Sequence, residues 1–185
     1  MSRVSDLEDA YVGELGLLWR GGISGAERVW MLVYPPDLER QVRARVPALE
    51  VRTQQAGRRW ESVDLSDALG RWVAEHEYAE AFFEDPGDFT SSVVDLFTDD
   101  VVSMLRARLA AADDQTVVAL VGVASLFPFV RASALIQAVD DAVRGRLLVL
   151  FPGRHDPDTH SFRLLDARDG FNYRARVITP EKTAR

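Results

Sequence analysis

TVVALVGV, residues 116–123, is apolar almost throughout and breaks at Gly122. A run of this kind has no polar face to give to water, so it reads as a strand covered on both sides of a sheet. A sheet buried on both faces needs helical crossovers between parallel strands, and the rest of the chain supplies them. Three further strand signatures stand at ERVWMLVYPP (27–36), WESVDL (60–65) and RLLVLFPG (146–153). Between them lie helical periodicities. Val4 to Leu18 places Leu7, Tyr11, Leu15 and Leu18 on one face, and Asp37 to Val46 spaces Leu38, Val42 and Val46 by four until Pro47 interrupts. The piece from there to Gly57 fits no single element. Ser66 is placed to cap a helix running through Trp72 to Phe82. Ser91 to Ala112 turns Val94, Phe97, Val101, Leu105 and Leu109 inward, and Ala132 to Val143 does so with Leu135, Ile136, Val139 and Val143. SFRLLDA, a turn at RDGF built on Asp169-Gly170, and NYRARVI read as a C-terminal hairpin.

The expected fold is therefore α/β in three layers: a mostly parallel sheet with helices on both faces and a C-terminal β-hairpin, nucleotide-fold-like but without a P-loop. One domain over residues 1–185 is expected, with a short N-terminal helix at 4–18 and a flexible tail from about 179 to 185. Right-handed crossovers would place the exit loops YPPD, DLSD, GVASLFPF and FPGRHD along one edge, where ligands of open α/β sheets bind.

Composition removes whole classes of chemistry. There is no cysteine, hence no disulfide, thiolate nucleophile or cysteine-bearing metal site. The single lysine, Lys182, stands in the tail, far from any P-loop or Schiff-base role. The acidic N-terminus lacks a signal-peptide pattern, and the longest apolar-rich run, Val117 to Val130, is too short and interrupted to span a bilayer, so a cytoplasmic protein with no membrane association is expected. Net charge is −7, which disfavours nucleic-acid binding by the chain alone. The charge is uneven. Glu75 to Asp100 holds nine acids and no arginine or lysine, whereas the C-terminal third carries Arg144, Arg146, Arg154, Arg163, Arg168, Arg174 and Arg176. Two solvated faces of opposite sign account for this, and inside an assembly the arginines offer a contact to DNA.

Three stretches invite chemistry. His155, Asp156, Asp158 and His160 are metal-ligand types, but four ligands in six loop residues leave the geometry to the loop, and a solvated turn at Asp156-Pro157 is the simpler reading. GVASLFPF lies where a phosphate loop would lie, yet offers leucine and phenylalanine where backbone amides should approach a phosphate. Ser125 within it is in no nucleophile elbow. Phe127, Phe129 and Phe151 read either as core at strand ends or as an apolar patch rimmed by arginines, suited to a protein partner.

QQAGRRWESVDLSDALGRWV, YAEAFFEDP, VVALVGVASLFPFVRAS, GRLLVLFPG and LLDARDGFNYRARVI, in that order, resemble the BrxB family of bacterial BREX anti-phage defence clusters. The likeness runs from about Arg28 to Ile178. It implies a non-catalytic or catalytically unassigned component of a system that distinguishes self from phage DNA by adenine methylation, alongside a methyltransferase, a large ATPase and a PglZ protein, the last being the expected partner. It implies no catalytic, cofactor-binding or metal-binding residue and no small-molecule ligand. The expected function is an interaction module docking a larger BREX protein, with Phe127, Phe129, Arg154, Asn172, Tyr173 and Arg174 as candidate contacts. The alternatives are a metal-dependent hydrolase or nuclease using the His155–His160 loop, and a degenerate nucleotide-sensing domain at GVASLFPF.

Overall fold

The computed structural model describes residues 3–17, 19, 22–85, 87, 89–159, 161–165, 167–170 and 173–180. The four apolar runs form β1 (Val29–Tyr34), β2 (Arg59–Asp64), β3 (Thr116–Val121) and β4 (Arg146–Asp156). With β7 (Arg176–Ile178) they make a parallel sheet in the order β2-β3-β4-β1-β7. Every residue of β1 and β3 is buried, as strands without alternation require.

Helices cover both faces, which makes the three expected layers. On one face α1 (Arg3–Leu15), α2 (Glu39–Ala44) and α3 (Val46–Gln55) set Leu7, Tyr11, Val42 and Leu49 against Trp30, Leu32, Leu148 and Leu150. On the other, α6 (Ser91–Ala111) and α7 (Ala132–Gln137) set Phe97, Leu105, Leu135 and Ile136 against Met31, Leu120, Val149 and Phe151. Each such fully buried side chain contributes about 1.5–3 kcal/mol of transfer free energy. Polar ties fix the layers. Glu8 on α1 receives Arg45 Nε and Nη2, and the Tyr11 hydroxyl donates to Thr53, whose own hydroxyl donates to the Leu49 carbonyl.

Several boundaries differ from the sequence expectation. α1 ends at Leu15; Leu18 lies outside the described residues. Pro47 does not stop a helix but sits in the first turn of α3, where its missing N–H has no partner to lose. The helix expected through Phe82 is two, α4 (Ala68–Glu75) and α5 (Ala79–Glu84), parted at the extended His76. Asp67, not Ser66, is the N-cap of α4, and the Ser66 hydroxyl donates to Asp64 instead. α7 stops at Gln137, followed by a 3₁₀ turn over Asp140–Ala142.

The C-terminal region departs most. β4 runs past the parallel sheet, and its last residues pair antiparallel with β5 (Ser161–Leu164), which pairs with β6 (Ala167–Gly170). The hairpin exists, but its reversal follows Leu164, with Leu165 at φ 53°, and Asp169-Gly170 falls inside β6. The NYRARVI segment is not the second hairpin arm. Arg176–Ile178 returns to the parallel sheet beside β1, because Ile178 packs with the α1 side and Val177 with the α6 side, so both faces of a strand are satisfied there. Of the tail, residues 181–185 lie outside the described residues.

Gly153 is the point at which β4 meets β5. A Cβ there would collide with the Arg163 carbonyl oxygen and with the Phe151 ring. Gly153→Ala is expected to cost about 1–3 kcal/mol by urea denaturation. Gly70→Ala, on exposed α4 with nothing near the new methyl, is expected to add about 0.5–1 kcal/mol. Equal midpoints for the two variants would contradict the packing described at Gly153.

Candidate functional site

The parallel strands end along one edge, and the turns there lock together. Gly122, at φ 76°, lets the chain leave β3 directly against Ser66, which a side chain at Gly122 would strike. Asp64 organises the facing turn. Its Oδ1 accepts from the Ser66 amide at 2.9 Å and from the Ser66 hydroxyl, while its Oδ2 pairs with Arg43 at 3.0 Å. Partial burial pushes the Asp64 carboxyl upward, but the two Ser66 hydrogen bonds and the charges of Arg43 and Arg71 outweigh it and hold the group below the ordinary aspartate range.

The crevice that such a sheet leaves between β4 and β1 is filled by the chain itself. β1 leaves toward the α2 face and β4 toward the α7 face, yet β4 stays paired with β1 as far as Tyr34 opposite Pro152. Phe151 is fully buried there, and Phe162 and Leu164 of β5 join the same core. Val123–Leu126 forms a 3₁₀ turn that buries Val123 and Leu126.

The chain from β2 to the β3 exit builds an aromatic surface. Trp72 of α4 stacks on His76 at 4.8 Å between centroids, His76 meets Phe82 at 5.2 Å, Phe82 meets Phe89 at 5.8 Å, and Phe89 meets Phe129 at 5.4 Å. The inner end is anchored, since Trp72 also meets the core residue Phe97 and donates its indole N–H to Asp100 at 2.8 Å. The outer end is not covered: Phe83 is 70% exposed, Tyr78 59%, Phe129 44% and Phe127 42%. No residue of α5 is buried. An element this apolar and this uncovered is unusual on a monomer surface.

The rim is acidic, not arginine-rich as expected. Glu75, Glu77 and Asp100 border Trp72, His76 and Leu96 in one cavity, and Glu80, Glu84 and Asp85 lie on or beside α5. Glu75, Glu77, Glu80, Glu84, Asp85 and Asp100 thus stand on the elements that carry the uncovered rings or border them. Sequence spacing left them a solvated face, because the α4–α5 break that folds them round the aromatics carries no proline or glycine to signal it.

The five described candidate contacts do not share one surface. Phe127 and Phe129 stand at the strand exits. Arg154 lies on the β4 extension, exposed and opposite Arg163 of β5. Tyr173 and Arg174 precede β7, at the other end of the parallel sheet. Tyr173 is buried and donates its hydroxyl to Asp140 at 2.9 Å, burial and that carboxylate both raising its phenol well above the usual range. Asn172 lies outside the described residues, as does His160.

The candidate metal loop is partly strand. His155 lies in β4 with its ring 4.8 Å from that of Phe162, and Asp156 ends the strand. Asp156 Oδ1 accepts from the amides of Asp158 at 3.0 Å and Thr159 at 3.4 Å, closing the turn as an Asx motif. The Thr159 hydroxyl and these amides hold its carboxyl below the ordinary range. Among the described residues no group of three His, Asp or Glu side chains is placed to hold a metal ion, and no helix is long and apolar enough to cross a membrane.

Asp64 gives a pH signature. Its folded value lies below its unfolded one, so its stabilisation is whole above the ordinary aspartate range and is lost as pH falls through the folded value. Asp64→Asn is expected to melt below the parent at neutral pH, with the gap closing in acid; a gap independent of pH would assign the loss to packing instead.

A family model described as BREX protein BrxB matches residues 63–178, from the end of β2 to the end of β7. No curated protein and no solved structure shows a significant match to the chain.

Proposed function

The chain belongs to the BrxB family of BREX proteins, and from that premise we propose that it serves its defence system as a non-catalytic docking module, holding a larger BREX protein at the acid-rimmed aromatic surface. The observation that carries this reading is the uncovered aromatic run from Tyr78 and Phe83 to Phe129. Uncovered aromatics that exclude water at the centre, with charges at the rim, are the arrangement of a protein interface. The acids select the occupant: a partner presenting an apolar groove bordered by lysine or arginine. A PglZ-like protein is the first candidate. Phe127 and Phe129 keep the role of anchors, joined by Tyr78 and Phe83. Arg154, on the projecting hairpin, would serve as a further polar contact, whereas Tyr173 and Arg174 would meet a partner only if it also reached the far end of the sheet.

Two features support a scaffold role over bond-breaking. Asp156, one of the two aspartates of the supposed metal loop, uses its carboxylate to close a turn, and β4 stays paired with β1 through the switch point. A rigid platform with an unoccupied apolar surface gives a partner a preformed site at little ordering cost.

Phe83→Ser and Phe129→Ser are each expected to weaken co-purification with BREX partners at least about tenfold, as loss of an interface anchor does. Melting temperature should hold, because both rings are largely outside the core. Glu80→Arg with Glu84→Arg should slow association and reverse its dependence on salt. Unchanged retention of every BREX protein by all three variants would defeat the proposal.

A further inference from the structure

At the opposite end of the sheet, where the strands begin, two arginines converge on two tryptophans with a third arginine near them. Arg146 opens β4, Arg58 precedes β2 and Arg28 precedes β1. The Arg146 guanidinium lies 4.5 Å from the centre of the Trp19 ring and 5.5 Å from that of Trp30, and Arg58 stacks on Trp19 at 4.2 Å. Arg146 is only 6% exposed. Its Nη1 donates to the Gly145 carbonyl at 2.9 Å, while its Nε, like that of Arg58, has no hydrogen-bond partner. Arg28 gives its Nη1 to the Val143 carbonyl at 2.7 Å. Among the described residues none of these three arginines takes part in an ion pair.

Arg146 also lines a cavity of about 430 Å³ with Trp19, Trp30, Arg174 and Arg176. Two carboxylates border it, and both are engaged. Glu14 receives Arg176 at 2.6 Å, and Glu27 accepts from the amide and hydroxyl of Ser24, each at 2.9 Å, while the charge of Arg174 also acts on Glu27, so an anion would share Arg174 with it. Glu61 belongs to the neighbouring cavity beside Arg58. Burial lowers the Arg146 guanidinium from the usual arginine range, and the charges of Arg28 and Arg58 act in the same direction. An arginine nevertheless stays protonated at neutral pH. The indole faces return part of the desolvation cost, but they supply no counter-charge. In a chain of net charge −7, the described residues leave this one buried cation without an anion.

We infer that this cavity is an oxyanion site, taking the phosphate group of a small molecule between Arg146 and Arg174. A single carboxylate needs one guanidinium, whereas several converging arginines match a doubly charged group with three acceptor oxygens. The cavity volume falls within the range of small-ligand pockets. The site stands at the far end of the sheet from the aromatic surface and does not depend on the docking role.

Trp19 and Trp30 report on it directly. Tryptophan emission of the full chain is followed while inorganic phosphate, adenosine monophosphate or acetate is added at constant ionic strength balanced with chloride. A saturable change with phosphate is expected, weakened at least about tenfold in Arg146→Met, which keeps the stacked stem but removes the charge. Arg174→Gln, at an exposed position, should also weaken it and serves if Arg146→Met fails to fold; Arg154→Gln, on the distant hairpin, should not. Tighter binding of adenosine monophosphate than of inorganic phosphate would assign the group to a nucleotide; the reverse order would assign it to free phosphate. No saturable response to either, an equal response to acetate, or an undiminished response in both cavity variants would overturn the inference.

Discussion

Burial of β4 is the constraint on which the rest of the molecule depends. From Arg146 to Gly153 every residue is buried, flanked by β3 and β1 in the sheet and by helices on both faces. A strand so placed must be apolar on both sides, which is why Leu147, Val149 and Phe151 join one core while Leu148 and Leu150 join the other. Its exceptional residue is its first. Arg146 is charged, yet it is held inside against two indole faces, so the central strand starts with a buried charge that has no ion-pair partner among the described residues.

The continuation of β4 decides what the exit edge can do. A doubly wound sheet leaves a crevice where neighbouring strands depart to opposite faces, and cofactors settle there. Here the polypeptide carries on through it, pairs with β5 and buries Phe162 and Leu164 against the α7 side. The fold keeps a mostly parallel sheet covered on both faces, and the extension of β4 packs beyond its exit edge. The surface left uncovered moves sideways, to α5 and the loop around Phe129, and the two ends of the sheet acquire opposite character: acids round aromatics at one, arginines on tryptophans at the other.

The hairpin shows where local signals lose to tertiary ones. Asp169-Gly170 is a strong turn dipeptide, yet it lies inside β6, and the reversal falls after Leu164 at a residue with no turn preference. Gly153 explains the choice. Its bare backbone admits the Arg163 carbonyl so closely that β5 must run beside β4, and the register set there fixes where β5 has to turn. Pro47 is a milder case. Read as an interruption, it begins a helix, because the same missing donor is harmless in a first turn.

By itself the sequence determined the layers and the cores. Short unalternated runs such as TVVALV and RLLVLF, rich in valine and leucine and closed by glycine or proline, read as buried strands, and the four-residue spacing of Phe97, Val101, Leu105 and Leu109 names the inward face of α6 without any coordinates. Periodicity is a local property, so it survives in one dimension. Only the tertiary structure decided the surfaces. The rings from Trp72 to Phe129 span nearly sixty residues of chain, and the Trp19, Arg58 and Arg146 cluster spans more than a hundred; parallel pairing alone gathers the strand starts at one end and the exits at the other. Charge and aromaticity can be counted along a chain, but whether an acid meets water, a ring or an arginine depends on which distant segment the sheet brings beside it.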